Sequence, residues 1–184
     1  MRWTETKVKK TRSRAPSFGS YSASSETASR VKSRLPRRDT QAERLLRREL
    51  WRRGLRYRLE CPDAPGRPDV IFPSLKVAVF CDGDFWHGRR WAHLRRRLRR
   101  GANPTYWLAK IQYNRRRDKA LTRLLRANGW IVIRLWETDI LAAPHGAAQQ
   151  VASAVRRRKR QPPAGELPAR SVPGKHTRMA SHER

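Results

Sequence analysis

Two short apolar runs in this sequence are bracketed by carboxylates. Asp69 stands immediately before VIF, and Asp82 and Asp84 follow KVAVFC. If the two runs are neighbouring strands, Asp69 and Asp82 arrive at one end of a sheet. Oxygen donors so placed suit Mg²⁺, a hard cation that keeps several of its waters. A divalent ion there activates water and stabilises charge on a phosphodiester. His87, in the loop DGDFWHG that follows, can transfer a proton or donate to a phosphate. Each residue also has a plainer reading. Asp69 can be a turn former, Asp82-Gly83 a turn signal, and His87 a structural or merely exposed histidine. Phe85 and Trp86 can be core. The order acid, strand, acid, aromatic, histidine is what favours a nuclease site.

The charge of the chain points the same way. Its 184 residues hold 44 Lys+Arg against 15 Asp+Glu, a formal net charge of +29. Such a surface attracts polyanions, nucleic acid first among them. The charge is not confined to the ends. Residues 1–38 carry 11 basic and 2 acidic residues and residues 156–184 carry 9 and 2, which leaves 24 and 11 for residues 39–155. The opening MRWTETKVKKTRSR lacks the apolar run of a secretory signal, and no stretch approaches the roughly 18 apolar residues of a spanning helix. The expectation is a cytoplasmic, nucleoid-associated protein with double-stranded DNA as partner and no membrane. Cys61 and Cys81 form neither a CxxC nor a zinc-spaced cluster, and are read as reduced thiols in or near a core.

The elements that must position these groups lie in the middle of the chain. Residues 1–28 are Ser- and Lys/Arg-rich and residues 158–184 are Pro-rich and polar. Both are read as disordered basic tails around a domain spanning 29–157. Thr40-Gln41-Ala42-Glu43 fits a capping box, Leu45, Leu46 and Leu50 give its helix an apolar stripe, and Gly54 can close it. LRYRLE alternates as a half-buried strand does. DVIF and KVAVFC read as short strands separated at Pro73-Ser74, the second of them central and covered on both faces. An Arg-rich segment, RRWAHLRRRLRR, follows the DGDFWHG loop. Pro104 opens a long helix to about Asn128, and its buried side is marked by Leu108, Ile111, Leu121, Leu124 and Leu125. WIVIRLW is a further buried strand, and a short helix is expected near 146–157. Trp107, Trp130 and Trp136 are read as core. The predicted order is α, β, β, β, α, β, α, an α/β (α+β) fold with a mixed sheet flanked by helices.

Several motifs then occur in a fixed series. They are DT-x-x-E (Asp39, Thr40, Glu43), RG-L-R-YR (Arg53 to Arg58), GRPD (Gly66 to Asp69) and VAVFCDGDFWHG (Val77 to Gly88), then YWLAKI (Tyr106 to Ile111), N-x-x-RD (Asn114 to Asp118) and GWIVIRLWE (Gly129 to Glu137). The series, over about residues 30–141, resembles the very-short-patch-repair (Vsr) DNA mismatch endonucleases. That resemblance implies a restriction-endonuclease-like fold and a monomeric Mg²⁺-dependent enzyme that nicks one strand beside a T·G mismatch. By motif it makes Asp69 the metal-binding aspartate and gives the backbone carbonyl of Cys81 as a second metal ligand. Glu43 becomes the helix glutamate supporting the catalytic water, and His87 a catalytic histidine. Phe85 and Trp86 match aromatics that wedge into the duplex. Arg89, Arg90, Lys110 and Arg117 are expected to hold phosphates.

The chain also departs from the family. Asp82 stands where its best-known members have a histidine, and is expected to enlarge the metal shell. Asp84 stands where a cysteine or small residue is common. Those members hold a structural zinc through residues after the FWH motif and after the last WE. Here the places read Arg89, Trp91 and Thr138, with only Asp118 retained, so no structural zinc is expected. The same residues also fit a restriction-type or general DNA endonuclease without mismatch preference, or a DNA-binding protein without catalysis. A mismatch-repair or cytosine-methyltransferase partner is left open.

Overall fold

The structure is a computed structural model that describes residues 15–16, 39–59 and 64–161. Helix α1, Gln41–Arg52, begins at the predicted capping box. Thr40 Oγ1 accepts the amide of Glu43 at 3.3 Å, and the Glu43 carboxylate accepts the amide of Asp39 at 3.0 Å. One orphan donor of the first turn is thereby satisfied, and the residue ahead of the N-cap is tied to the helix. At the other end Gly54 takes a φ of +71°, and its amide bonds back to the carbonyl of Trp51.

Strand β1, Val70–Phe72, passes through a 3-10 turn at Pro73–Leu75 into β2, Val77–Asp82. The two are antiparallel, with Val70 opposite Val79 and Phe72 opposite Val77. β3, Ile131–Trp136, lies parallel to β2 on its other side, with Val77 opposite Ile131 and Asp82 opposite Trp136. The sheet order is β1-β2-β3, so β2 is central as its apolar run predicts. A parallel neighbour requires a long crossover. It consists of α2 (Asp84–His87), α3 (Trp91–Arg99) and α4 (Pro104–Ala127). After β3 come α5, Glu137–Ala142, and α6, Pro144–Arg160.

Each sheet face has its own core. On one, Val70, Phe72, Val77, Val79 and Leu135 pack against Leu46 and Leu50 of α1, Ile140 of α5 and Val151 and Val155 of α6. On the other, Ile71, Ala78, Phe80 and Val132 meet Leu125 of α4 and Trp130. Fully burying aliphatic side chains of this size is worth about 1.5–3 kcal/mol each. A smaller cluster of Leu94, Leu98 and Ile111, with Phe85, Trp91 and Trp107 against it, ties α3 to α4.

Four sequence expectations need correction. LRYRLE forms no strand where it is described. Arg58 makes an isolated bridge to Ile71, because β1 is only three residues long and offers little ladder to pair with. The DGDFWHG loop contains the one-turn helix α2, and Gly88, at φ +70°, ends it. The last helix starts at Pro144, not near 146, and α5 precedes it unforeseen. Of the three tryptophans read as core, Trp130 is buried, whereas Trp107 and Trp136 are half-buried. Cys61 and most of the expected tails lie outside the described residues. No described helix is long and apolar enough to cross a membrane.

Candidate active site

The site forms where β1 and β2 part. The amide of Asp69 still donates to the carbonyl of Val79, at 3.0 Å, as the last rung of the ladder. One step further the backbone of β1 has turned away, and the Asp69 side chain takes its place. Its Oδ2 accepts the amide of Cys81 at 2.7 Å. In an extended strand the N–H and C=O of one residue point to the same edge. Val79 and Cys81 both direct their polar backbone to the β1 side, so the Cys81 carbonyl faces the edge that the Asp69 carboxylate occupies.

Burial pushes the Asp69 carboxyl up to about 6, partly offset by the Cys81 hydrogen bond, while the charges of Glu43 and Asp82 raise it further and His87 lowers it. Of these residues, Glu43 belongs to α1, Asp82 to β2 and His87 to α2. The Cys81 thiol is buried and raised far above its ordinary range, first by desolvation and then by Asp69 and Glu43. Mg²⁺ is a hard cation that prefers oxygen to soft sulfur, so the backbone carbonyl of Cys81 is the better donor.

Glu43 is buried, with its Oε1 accepting from Thr40 Oγ1 and its Oε2 accepting from Asp39. The capping box thus fixes the rotamer of a carboxylate whose charge Asp69 senses. Asp82, also buried, is tied to β3. Arg134 donates to it through Nε and Nη2, at 2.6 and 2.5 Å. Both oxygens are occupied by that guanidinium, which packs over the Phe80 ring at 4.8 Å.

His87 follows Phe85 and Trp86 on α2, and α4 holds this helix from below. Asn114 Nδ2 donates to the carbonyl of Trp86 at 2.9 Å, and one turn later Asp118 Oδ2 lies 2.6 Å from His87 Nδ1. Residues at i and i+4 share a helix face, so two polar side chains of α4 grip two consecutive residues of α2. Gly88 makes the approach possible. A Cβ there would lie 2.8 Å from Arg115 Cδ and 3.0 Å from Ile111 Cγ2. Phe85 and Trp86 meet edge to face with centroids 5.2 Å apart, and Trp107 packs at 5.3 Å from Phe85 and 5.9 Å from Trp86.

The expected phosphate contacts are not equivalent. Arg89 is bound by Asp84 at 3.2 Å, by Asp139 at 2.7 Å and by the Thr138 hydroxyl. This cluster ties the residue after α2 to α5. Arg117 donates to Asp118 Oδ1 at 3.0 Å yet is half exposed. Arg90 is exposed at φ +48° ahead of α3, and Lys110 is half-buried on α4.

Sequence reasoning gave no catalytic role to Asn114, Asp118 and Arg134, and noted Asp118 only as the retained member of the family's zinc set. The signals exist. The first two are polar residues one turn apart on the buried side of an amphipathic helix, and the third is the single charge inside the apolar run WIVIRLW. A structural explanation was as good for each until the partners were visible.

The family model described as DNA mismatch endonuclease Vsr matches residues 22–93. Among curated proteins, the type II nicking enzyme V.NmeDIP of Neisseria meningitidis serogroup C is 40% identical over 117 residues, 64% of this chain and 78% of its own length. The type II nicking enzyme V.HpaIIP of Haemophilus parainfluenzae is 37% identical over 116 residues, covering 63% and 81%. The DNA mismatch endonuclease Vsr of Escherichia coli K12 is 33% identical over 100 residues, covering 54% and 62%.

Proposed function

The chain belongs to the Vsr family of DNA endonucleases, and from that premise we propose that it nicks one strand of duplex DNA beside a T·G mismatch with Mg²⁺ as cofactor. The observation that carries the reading is the fork of β1 and β2, where the Asp69 carboxylate and the Cys81 backbone face one another. Its donors are oxygens, and one is a largely buried carboxylate whose burial is costly without a cation. Among the described residues no group of three His, Cys, Asp or Glu side chains is placed to hold a metal ion. A set this sparse suits a cation that retains most of its waters, which is the habit of Mg²⁺.

Asp69 and the Cys81 carbonyl would hold the ion, which supplies an activated water and a counter-charge for the scissile phosphate. Glu43, fixed by its capping box, orients solvent on the α1 side. His87 transfers a proton on the opposite side, toward the attacking water or the leaving oxygen. Asp82 anchors Arg134, which donates to both its oxygens. Phe85 and Trp86, backed by Trp107, form the aromatic ridge beside this centre. Inserting rings into a base step exchanges stacking energy for access to a distorted pair. A T·G wobble pair, already distorted, lowers that cost. The basic segment at 1–28 and the chain beyond α6 add sequence-independent affinity for the same DNA.

The test is Mg²⁺-dependent nicking of paired duplexes that differ only in T·G against T·A, with Asp69→Ala as control. Cutting confined to the T·G duplex supports the proposal. Equal rates on both leave a DNA endonuclease without mismatch preference.

A further inference from the structure

The reading above leaves open how His87 is oriented, and the structure supplies a device for it. Three groups surround its Nδ1. Asp118 Oδ2 lies at 2.6 Å, Asp82 Oδ1 at 3.5 Å and Arg134 Nη2 at 3.5 Å. They are not equal partners. Asp82 is committed to Arg134 by two shorter bonds, and Arg134 has only hydrogens to offer. The Asp118 carboxylate is the one acceptor at hydrogen-bonding distance. An ionised carboxylate only accepts, so the bond requires the proton on Nδ1 and leaves the lone pair of the neutral ring on Nε2.

Asp118 is itself fixed. It is buried on α4, Arg117 donates to its Oδ1 through Nε at 3.3 Å and Nη2 at 3.0 Å, and Arg134 Nη2 approaches its Oδ2 at 3.6 Å. Arg134 is in turn locked on rigid β3 by Asp82 and Phe80. The network therefore joins three elements, α2, α4 and the sheet, around a single imidazole.

We propose that Asp118 is the positioning residue for His87, holding the ring through Nδ1 so that Nε2 is the nitrogen presented to the DNA, with the Arg134–Asp82 pair fixing Asp118. This rests on the reading of His87 as a participant in strand cleavage. Burial alone would raise the Asp118 carboxyl, but the His87 bond and the charges of His87 and Arg134 outweigh it and hold the group below its ordinary value, ionised as the bond requires.

A double-mutant cycle on the full chain separates positioning from a structural role. Asp118→Asn, His87→Ala and the double variant are compared for nicking of a T·G duplex with Mg²⁺. Asp118→Asn is expected to lower kcat by on the order of a hundredfold with KM little changed. On the His87→Ala background the same substitution should cost less than about threefold, since a group acting only through His87 has nothing left to act on. Equal losses in both backgrounds, or an unchanged kcat in Asp118→Asn, overturn the assignment. Nitrogen-15 NMR of the wild-type imidazole gives a readout without catalysis. The neutral ring is expected to carry its proton on Nδ1, and an Nε2-protonated ring overturns the assignment even if Asp118→Asn fails to fold. Wild-type protein that cuts neither a T·G nor a matched duplex overturns the endonuclease chemistry and this role together. Wild-type cutting with an indifferent Asp118→Asn overturns this role alone.

Discussion

The amide of Cys81 donates to the carboxylate of Asp69 at 2.7 Å, across the point where β1 and β2 separate. One hydrogen bond does not offset the desolvation of a carboxylate, and the Asp69 carboxyl rises from its ordinary 3.8 to about 6. The folded, metal-free protein thus binds this proton more tightly than the unfolded chain. Between those two values the folded state holds more protons, so stability falls as pH rises, and above about 6 the whole cost, roughly 3 kcal/mol, is present. In chelator, Asp69→Asn should raise stability near pH 7.5 by up to that amount and flatten the slope between pH 4 and 6. It should also abolish both nicking and stabilisation by Mg²⁺. Thermal melts across pH, with and without Mg²⁺, check it. A less stable Asp69→Asn protein would show that the carboxylate is not under strain.

The Thr40–Glu43 box joins helix initiation to the site. Thr40→Ala should cost about 1 kcal/mol of stability, as loss of an N-cap does. It should also weaken Mg²⁺ binding, because Glu43 loses the hydroxyl that orients Oε1. Denaturant titration and calorimetry measure the two effects. A stability loss with unaltered Mg²⁺ affinity would confine Glu43 to capping.

Gly88 lies between α2 and α4 at φ +70°. In Gly88→Ala the new Cβ meets Ile111 and Arg115, and a left-handed residue with a side chain adds strain. The expected cost is about 1–3 kcal/mol. Because His87 is the preceding residue, kcat should fall by more than the folded fraction does. Rates measured well below the melting temperature decide this, and a proportional decline would show that the histidine keeps its place.

Helix α3 buries Leu94 and Leu98 and exposes Arg95, Arg96, Arg97 and Arg99, with no acid along its length. If this face lies on duplex phosphates, each Arg→Gln change that removes one contact should reduce the slope of log K against log salt by roughly 0.9. Such changes should leave kcat at saturation and stability nearly untouched. An unchanged slope would make α3 a solvated face.

Much of this arrangement is legible in the sequence because it rests on local chemistry. The capping box, the Pro104 helix start, the continuous apolar run of β2 and the placement of Asp69 and Asp82 at adjoining strand ends all follow from residue types within a few positions. The misses depend on contacts distant in sequence. LRYRLE has a strand's alternation, but a three-residue β1 gives it one bridge in place of a ladder. α2 is too short for periodicity to register and exists because Asn114 and Asp118, about thirty residues away, hold it. Nothing near Asp82 in sequence announces its partner Arg134, 52 residues on, which donates to both its oxygens.

Phe85, Trp86 and His87 are successive residues of a single helical turn, closed by Gly88 and pinned to α4 at two points. A turn so short has no internal joint, so the rings and the imidazole travel as one rigid piece. Displacing the ridge by even an ångström drags the histidine with it. On the proposed reading, inspection of a base step and readiness to break the strand would be built into the same lever.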